Sequence, residues 1–467
     1  MIIPLLCSFY YDSDTQSIYA FIVTIFIGVI VSLITLTTIK VTGDDLNNLN
    51  AKDGLAVVGL AWICISAYSA LPFYLSGTTL SYTDAFFETV SGYTTTGATI
   101  VTNIEILPRG ILFWRSLTHW LGGMGIILLS VALLPAFGRG AFQLYKAEVP
   151  GPTAERLQPR VIETAKILWS VYLLLSFLET ILLCAGGMPL FDSLCHTFGT
   201  MATGGFSTKQ TSIGTYGPYI QWVVIVFMFM AGANFILHYQ VLKGRRLNLY
   251  FKSVEFRLYF FIVIICVIIF SAVLAINNSD ISQSPIRDSA FQVVSILTTT
   301  GYTTANFNIW PQFLRFTLII LMFIGGCSGS TGGGMKIIRV FTTLKIALRN
   351  ILQTIFPNAV FPVKIDSVPI SNKLLEGVLV YFFIFVSLFC FGTIAMTITE
   401  VCDLGTAFSA SIACLGNIGP GLGKVGAVEN YSWISMQGKW ILSFLMLAGR
   451  LELYSILILF LPSTWRK

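Results

Sequence analysis

The sequence predicts an all-α polytopic membrane protein assembled from four pseudo-symmetric helix–loop–helix repeats. Three observations predict it: too few charges to cover a water-facing surface, nine long apolar stretches, and a short polar motif that recurs between them. Of 467 residues, 55% are hydrophobic and 11% charged, and the mean hydropathy is +0.79. A soluble domain carries about 25% charged residues. Most of this surface is therefore expected to face membrane lipid.

One helical crossing of a bilayer takes about 20 predominantly apolar residues. Nine stretches qualify: 18–40, 54–74, 111–137, 165–186, 220–238, 258–276, 313–335, 375–399 and 440–461. No polar stretch between them is long enough to bury a core, so no soluble domain is expected. Residues 1–11 are apolar but too short to cross, and they lack the basic flank of a signal peptide. They read either as a half-inserted helix or as the tail of a helix that starts further upstream.

Charge placement sets the expected topology. Lys and Arg concentrate on the cytoplasmic side of membrane proteins. Alternate loops hold 18 basic residues against 7 in the opposite set, with Lys336, Arg339 and Arg450 inside apolar segments. The sparse set includes Arg115 and Lys439. The C-terminus is therefore expected in the cytoplasm. Lys336 and Arg339 are expected to snorkel, or to open the cytoplasmic end of the seventh stretch.

The internal repeat decides the architecture. Asp84-Ala-Phe-Phe-Glu-Thr-Val-Ser-Gly-Tyr-Thr-Thr-Thr-Gly97 lies between stretches two and three. Asp288-Ser-Ala-Phe-Gln-Val-Val-Ser-Ile-Leu-Thr-Thr-Thr-Gly301 lies between six and seven, with the same thirteen-residue spacing from Asp to Gly. The stretch from Asp192 to Gly204 reads as a copy one residue shorter, and Thr406 to Gly419 as the most divergent copy. Each copy begins near a capping residue (Asp84, Asp192, Asp288 or Thr406), runs for about three apolar turns, and ends in small polar residues and Gly. The expected organisation is extra N-terminal helices over 1–50, then repeats over 51–145, 146–245, 246–348 and 349–467. Four unrelated loops capping a bundle would have no reason to repeat a Gly after small residues.

Selecting a cation by size requires something to replace its water oxygens, and backbone carbonyls serve in such filters. Carbonyls point into a pore only where the chain leaves helical geometry, which Gly permits. Irregular backbone survives at membrane depth only inside protein or against a water-filled cavity. A short helix ending there adds partial negative charge, about half an elementary charge. The expected lining of a central pore is Thr95, Thr96, Gly97 and Ala98; Ala202, Thr203, Gly204 and Gly205; Thr299, Thr300, Gly301 and Tyr302; and Asn417, Ile418, Gly419 and Pro420, with Gly97, Gly204, Gly301 and Gly419 central.

A second feature interrupts the seventh stretch. Gly325-Gly326-Cys327-Ser328-Gly329-Ser330-Thr331-Gly332-Gly333-Gly334 holds six glycines in ten residues, and each costs a helix about 1 kcal/mol. The glycines and Lys336 miss the register of a phosphate-binding loop. Two readings are open: close helix packing through small residues, or a broken helix forming an intramembrane loop. Arg450, deep in the last stretch, also has two readings. It either pairs with Glu452 or Glu179, or it bonds carbonyls of the glycine loop in a cavity below the filter and holds a gate shut.

These motifs resemble the membrane subunit of Trk-type potassium-uptake systems, the TrkH/TrkG/KtrB superfamily, with the TrkH branch nearest. The resemblance runs through 84–99, 119–125, 147–152, Gly204-Gly-Phe-Ser-Thr, the 325–334 run, Pro357-Asn-Ala-Val, Asn417-Ile-Gly-Pro-Gly-Leu-Gly and Gly449-Arg-Leu-Glu. It implies four pore repeats in one chain and K+ passing through a channel-like pore in the bacterial inner membrane. It implies a homodimer docked on a cytosolic TrkA-like ring that alone carries nucleotide (ATP/ADP or NAD). It also implies that the glycine loop lies just below the filter and obstructs the pore. The family begins with a further full helix, of which residues 1–11 resemble only the tail. One aligned Gly per loop, where tetrameric K+ channels have two, implies weaker discrimination against Na+.

Other classes find less support. A K+ symporter coupled to H+ or Na+ would use mid-membrane acids, and only Glu88, Glu179 and Glu452 are candidates. Glu88 is expected in a pore helix behind the filter. The three His (119, 196 and 238) lack metal-ligand spacing, and the nine Cys show no CxxC pair and read as small hydrophobes. No catalytic constellation, covalent cofactor fingerprint or nucleic-acid motif is expected.

Overall fold

The computed structural model describes residues 1–11, 14–42, 51–133, 157–276 and 284–465. The end of stretch 111–137, the 147–152 motif and the basic residues Arg139, Lys146, Arg156, Arg466 and Lys467 lie outside these residues.

Among the described residues the elements are helices, joined by loops, apart from one pair of two-residue strands, Lys364–Ile365 with Val368–Pro369. The helices, in order, are α1 (Ile2–Tyr11), α2 (Thr15–Thr42), α3 (Ala51–Ser69), α4 (Leu71–Leu75), α5 (Tyr82–Tyr93), α6 (Arg109–Leu133), α7 (Leu157–Ala185), α8 (Leu190–Met201), α9 (Pro218–Ala231) and α10 (Phe235–Gly244). They continue as α11 (Asn248–Lys252), α12 (Val254–Ile276), α13 (Pro285–Leu297), α14 (Gln312–Ile324), α15 (Ile337–Ile355), α16 (Asn372–Thr399), α17 (Leu404–Leu415), α18 (Met436–Arg450), α19 (Tyr454–Leu457) and α20 (Pro462–Trp465).

Long helices present Phe, Ile and Leu outward, as lipid requires: Phe261, Ile265 and Ile268 of α12 and Phe383, Phe391 and Ile394 of α16 are exposed. Their hydroxyls turn back onto the helix. Thr24, Thr35 and Thr38 each donate to the carbonyl four residues earlier, so these three donors are not left bare in hydrocarbon. Helix α1 is ten residues long, about 15 Å at 1.5 Å per residue, and it packs on α6 and α2.

Four short helices, α5, α8, α13 and α17, are buried between the long ones and carry the repeated motif. Their starts correct one expectation. The N-caps are Ser81, Pro189, Ser284 and Asp403, so Asp84, Asp192 and Asp288 sit inside the first turn and Thr406 follows its cap by three residues. Acidic side chains in a first turn still meet the positive end of the helix dipole. Arg115 and Lys439 also depart from the topology reading, because neither sits in a loop. Arg115 lies in α6, ion-paired to Glu88 of α5 at 2.6 Å, and Lys439 lies in α18, ion-paired to Asp84 at 2.7 Å.

Three expected spans are broken. The seventh breaks at 325–336, between α14 and α15. The fifth bends by 99° between α9 and α10, where Asn234 caps α10 by accepting from the amides of Ile236 and Leu237. The ninth ends at Arg450, where Glu452 (φ 58°) and Leu453 (φ 60°) turn left-handed before α19. Arg450 is therefore a helix C-terminal residue rather than a mid-helix one, a position that favours a cation.

Candidate functional site

Each short helix ends in the same backbone motif. The αL residues are Thr95, Thr203, Thr299 and Asn417, with φ of 50°, 54°, 61° and 55°. Their amides donate to Gly92, Thr200, Ile296 and Cys414, and the next amides reach back five residues, from Thr96 to Ser91, Gly204 to Gly199, Thr300 to Ser295 and Ile418 to Ala413, at 2.8–2.9 Å. This is a Schellman-type helix end, where αL is usually taken by Gly. β-branched Thr in αL is an outlier held by its surroundings, and the same outlier occurs three times.

Two residues after each αL position comes a Gly with φ of 80°, 80°, 80° and 95°: Gly97, Gly205, Gly301 and Gly419. This corrects the register of the second loop. Gly204 occupies the position of Thr96, Thr300 and Ile418, and the spacing from Asp192 to Gly205 is thirteen residues, like that from Asp84 to Gly97 and from Asp288 to Gly301. The second copy is not shorter. Two adjacent glycines hid the alignment.

The four loops close a ring. A methyl group built on Gly97 would lie 2.2 Å from the Gly204 carbonyl oxygen, and one on Gly205 would lie 2.1 Å from that of Thr300. One on Gly301 would lie 1.9 Å from the Ile418 oxygen, and one on Gly419 would lie 2.6 Å from the Thr96 oxygen. Each loop thus sets its glycine against the equivalent carbonyl of the next, from the first round to the first again. No side chain larger than hydrogen fits between them.

Side chains behind the ring fix the loops to one another. Glu88 accepts from Thr99, from the Ile100 amide and from Arg115. Arg115 also donates to the Ser207 carbonyl and covers the Phe206 ring, 3.6 Å from its centroid. One buried ion pair therefore joins the first and second loops. Tyr302 donates to the carbonyls of His196 and Phe206, joining the third loop to the second. Asn417 donates to Thr96 and to the Met446 carbonyl, joining the fourth loop to the first and to α18. Tyr431 donates to the Gly419 carbonyl at 2.6 Å. Glu88 was legible as an acid of a short helix behind the loops. Arg115 was not, because a basic residue near the start of an apolar stretch reads as a loop charge.

The glycine run is a loop, and close helix packing is not its geometry. Gly325, Gly329 and Gly334 have φ of 76°, 70° and 69°. The loop lies against the ends of the short helices. The Gly333 amide donates to Thr299 Oγ1 at 2.6 Å, and Thr331 Oγ1 donates to the carbonyls of Met201 and Ala231. A methyl group on Gly333 would lie 2.5 Å from the Gly416 oxygen, and one on Gly332 would lie 3.0 Å from the Thr298 oxygen. The Cys327 amide donates to the Gly232 carbonyl, and the Phe235 amide donates to that of Gly329, so the loop also fills the break in the fifth span. The Ser328 amide donates to Glu255 of α12, and Gly326 packs near Ser330.

Two cations hold this loop from below. Arg450, 2% exposed, donates from Nη1 to the Thr331 carbonyl at 2.6 Å. Its Nη2 reaches the Gly122 carbonyl at 3.5 Å. Lys336 does not snorkel. It is buried, has a φ of 70° and donates to the Gly332 carbonyl. Glu452 pairs with Arg339 instead of Arg450, and the Arg339 guanidinium lies 4.1 Å from the centroid of the Tyr381 ring.

Comparison with known proteins places this architecture. Residues 22–467 match the family model TrkH, described as cation transport protein. The chain belongs to the TrkH family of cation transport proteins. It is 41% identical over 423 residues to the Trk system potassium uptake protein TrkH of Salmonella typhimurium, covering 90% of this chain and 87% of that one. It is 33% identical over 470 residues to the Trk system potassium uptake protein TrkG of Escherichia coli, covering 100% and 95%. The crystal structure of the potassium transporter TrkH from Vibrio parahaemolyticus superposes with a TM-score of 0.87 at 34% identity, covering 100% of this chain and 96% of that one. TrkH-family relatives are transport proteins rather than enzymes.

Proposed function

We propose that this chain takes up K+ across the bacterial inner membrane through a channel-like pore. In this reading the closed ring is a selectivity filter. Thr95–Ala98, Thr203–Phe206 (one residue on from the Ala202–Gly205 expected from the sequence), Thr299–Tyr302 and Asn417–Pro420 line it, and the backbone oxygens of the four loops stand in for the water shed by the ion. The observation that carries the reading is the ring closure from Gly97 to Gly204, Gly205 to Thr300, Gly301 to Ile418 and Gly419 to Thr96. Four short helices end at these loops, each adding partial negative charge where a cation would sit. Choice of K+ as cargo follows the names of the relatives.

The glycine loop from Gly325 to Gly334 is the gate in this proposal. It lies beneath the filter, and Arg450 and Lys336 fix it there. Two positive charges under the ring oppose a cation's exit, and their removal would free the loop. The basic segments 156–166, 243–257 and 345–373 form the cytoplasmic face with the C-terminus, and a TrkA-like nucleotide-binding ring would dock there on a homodimer of this chain. The test is radioactive Rb+ flux into proteoliposomes, with K+ and Na+ competing, for wild type and Gly301→Ser. Wild-type flux that K+ suppresses and the variant lacks supports the reading. Equal flux in the two proteins overturns it. Reversal potentials that follow the pH gradient as well as the K+ gradient would instead indicate coupled symport.

A further inference from the structure

Glu179 lies within α7, fully buried, and plays no part in the loops, the gate or any ion pair described above. Neither carboxyl oxygen has a settled hydrogen-bond partner, and the one donor near enough to turn toward it is the Thr200 hydroxyl of α8. The phenols of Tyr172 and Tyr302 lie in the same region. Each of these hydroxyls has only one hydrogen, and for each a backbone carbonyl competes. Thr200 donates to the His196 carbonyl at 2.8 Å, Tyr172 to the Trp120 carbonyl at 3.2 Å and Tyr302 to the carbonyls of His196 and Phe206. The neighbouring Thr180 donates to the Ser176 carbonyl and to Thr197. Glu179 therefore has at most a share of one hydroxyl hydrogen, that of Thr200, for which the His196 carbonyl competes.

No cation among the described residues compensates it. Of the helices packed on α7, α6 contributes Arg115, which is committed to Glu88 and the Ser207 carbonyl, and His119, which lies against Gly204 and the Phe206 ring. Arg109, at the start of α6, faces the rings of Tyr11 and Phe191. From α8 comes His196, with one ring nitrogen on the Asp192 carbonyl and the other on Ser207, along with Asp192 itself, which accepts from Thr208. From α10 comes His238, bonded to Tyr250 and the Met230 carbonyl, and Lys243 near its exposed end. Helix α9 has no charged side chain. On α7 itself, Glu163 and Lys166 lie toward the opposite end.

A buried carboxylate with no cation and at most one shared donor is costly for a protein to hold. A neutral carboxyl supplies the missing hydrogen itself and can donate to the free lone pair of Thr200. We propose that Glu179 is a proton-binding, positioning residue behind the second loop. It holds its proton while the protein conducts, and loss of that proton lowers cation flux. The route to the loop is short: the Thr200 carbonyl accepts from the amide of Thr203, the αL residue of that loop. A charge at Glu179 would repel the Thr200 oxygens and loosen the turn that sets Thr203, Gly204 and Gly205. The proposal rests on reading those loops as the ion path.

The experiment compares Rb+ flux as a function of pH for wild type, Glu179→Gln, Glu179→Asp and Gly301→Ser in the same liposomes. Wild-type flux is expected to fall on the alkaline side, by about tenfold for each pH unit above the midpoint. Glu179→Gln, whose amide also donates, conducts without that fall, and Glu179→Asp keeps a fall with a displaced midpoint. The infrared difference spectrum of wild type minus Glu179→Gln should contain a protonated carboxylic-acid band at neutral pH. A level wild-type profile, a Glu179→Gln profile that falls like wild type, or a carboxylate band alone would overturn the proposal. These results leave the pore reading standing as long as Gly301→Ser still abolishes flux. Flux through Gly301→Ser at the wild-type rate would sink the pore reading itself.

Discussion

Replacing Arg450 by alanine is expected to raise cation flux in the absence of any cytosolic partner. Arg450 is 2% exposed and spans two parts of the protein, with a 2.6 Å hydrogen bond to the Thr331 carbonyl of the glycine loop and a longer contact to the Gly122 carbonyl of α6. A hydrogen bond to a charged group contributes about 1.5–3 kcal/mol. With about 1.4 kcal/mol per factor of ten, losing the bond to Thr331 raises the population of displaced loop roughly tenfold to hundredfold. Lys336 still holds the Gly332 carbonyl, which puts the single variant at the lower end and Lys336→Met/Arg450→Ala at the upper end. Arg450→Lys retains charge but loses the planar fork, and an intermediate flux is expected. The assay is initial-rate Rb+ uptake into proteoliposomes containing this chain alone. Unchanged flux in Arg450→Ala and in the double variant, with both proteins folded, refutes the assignment of the loop as a gate.

Three further predictions follow from other contacts. Arg115→Met strands the Glu88 carboxylate and should cost about 3–5 kcal/mol, seen as a lower unfolding midpoint in detergent. Glu88→Gln added to it should restore part of the loss, and a wild-type midpoint for Arg115→Met counts against the brace. Gly205→Ala places a methyl group 2.1 Å from the Thr300 oxygen at a φ of 80°, whereas Gly204→Ala meets the His119 ring at 2.2 Å. A second change, His119→Ala, should therefore rescue flux in Gly204→Ala and not in Gly205→Ala, and rescue of both contradicts the corrected register of the second loop. Asp403 caps α17, and the Thr406 side chain and then its amide hold the Asp403 carboxyl below the usual range. A lowered folded value means the cap is at full strength above the ordinary pKa of about 3.9 and is lost as pH falls through the folded value. Asp403→Ala should cost about 1 kcal/mol near neutrality, and Asp403→Asn should remove only the acid-side dependence of the unfolding midpoint.

Much of this architecture is legible in the sequence, because lipid imposes simple rules. Long apolar stretches cross, and a polar motif with Gly between them has few stable places to go. The short helices and the glycines that follow them are legible from the fourfold recurrence, whereas the αL conformation of Thr95, Thr203, Thr299 and Asn417 is not, because Thr rarely adopts it. Other features escaped for identifiable reasons. Gly204-Gly205 offers two alignments, and only backbone φ shows which glycine is in the left-handed region. The break after Arg450 is made by Glu452 and Leu453, residues that seldom leave right-handed geometry, so nothing local announces it. The fifth span carries a single Gly and Asn234 at its bend. What turns the chain there is a tertiary contact, since the glycine loop donates to the Gly232 carbonyl. Arg115 and Arg339 show the same limit: each is drawn inward because a partner, Glu88 or Glu452, arrives from another helix or turn.

The most direct measurement is anomalous diffraction from crystals grown in Rb+. Rb+ peaks are expected on the axis between the loops, within coordination distance of backbone oxygens from all four of the 95–98, 203–206, 299–302 and 417–420 segments. Rb+ density found only away from that axis, with none among the four glycines, would contradict the pore reading.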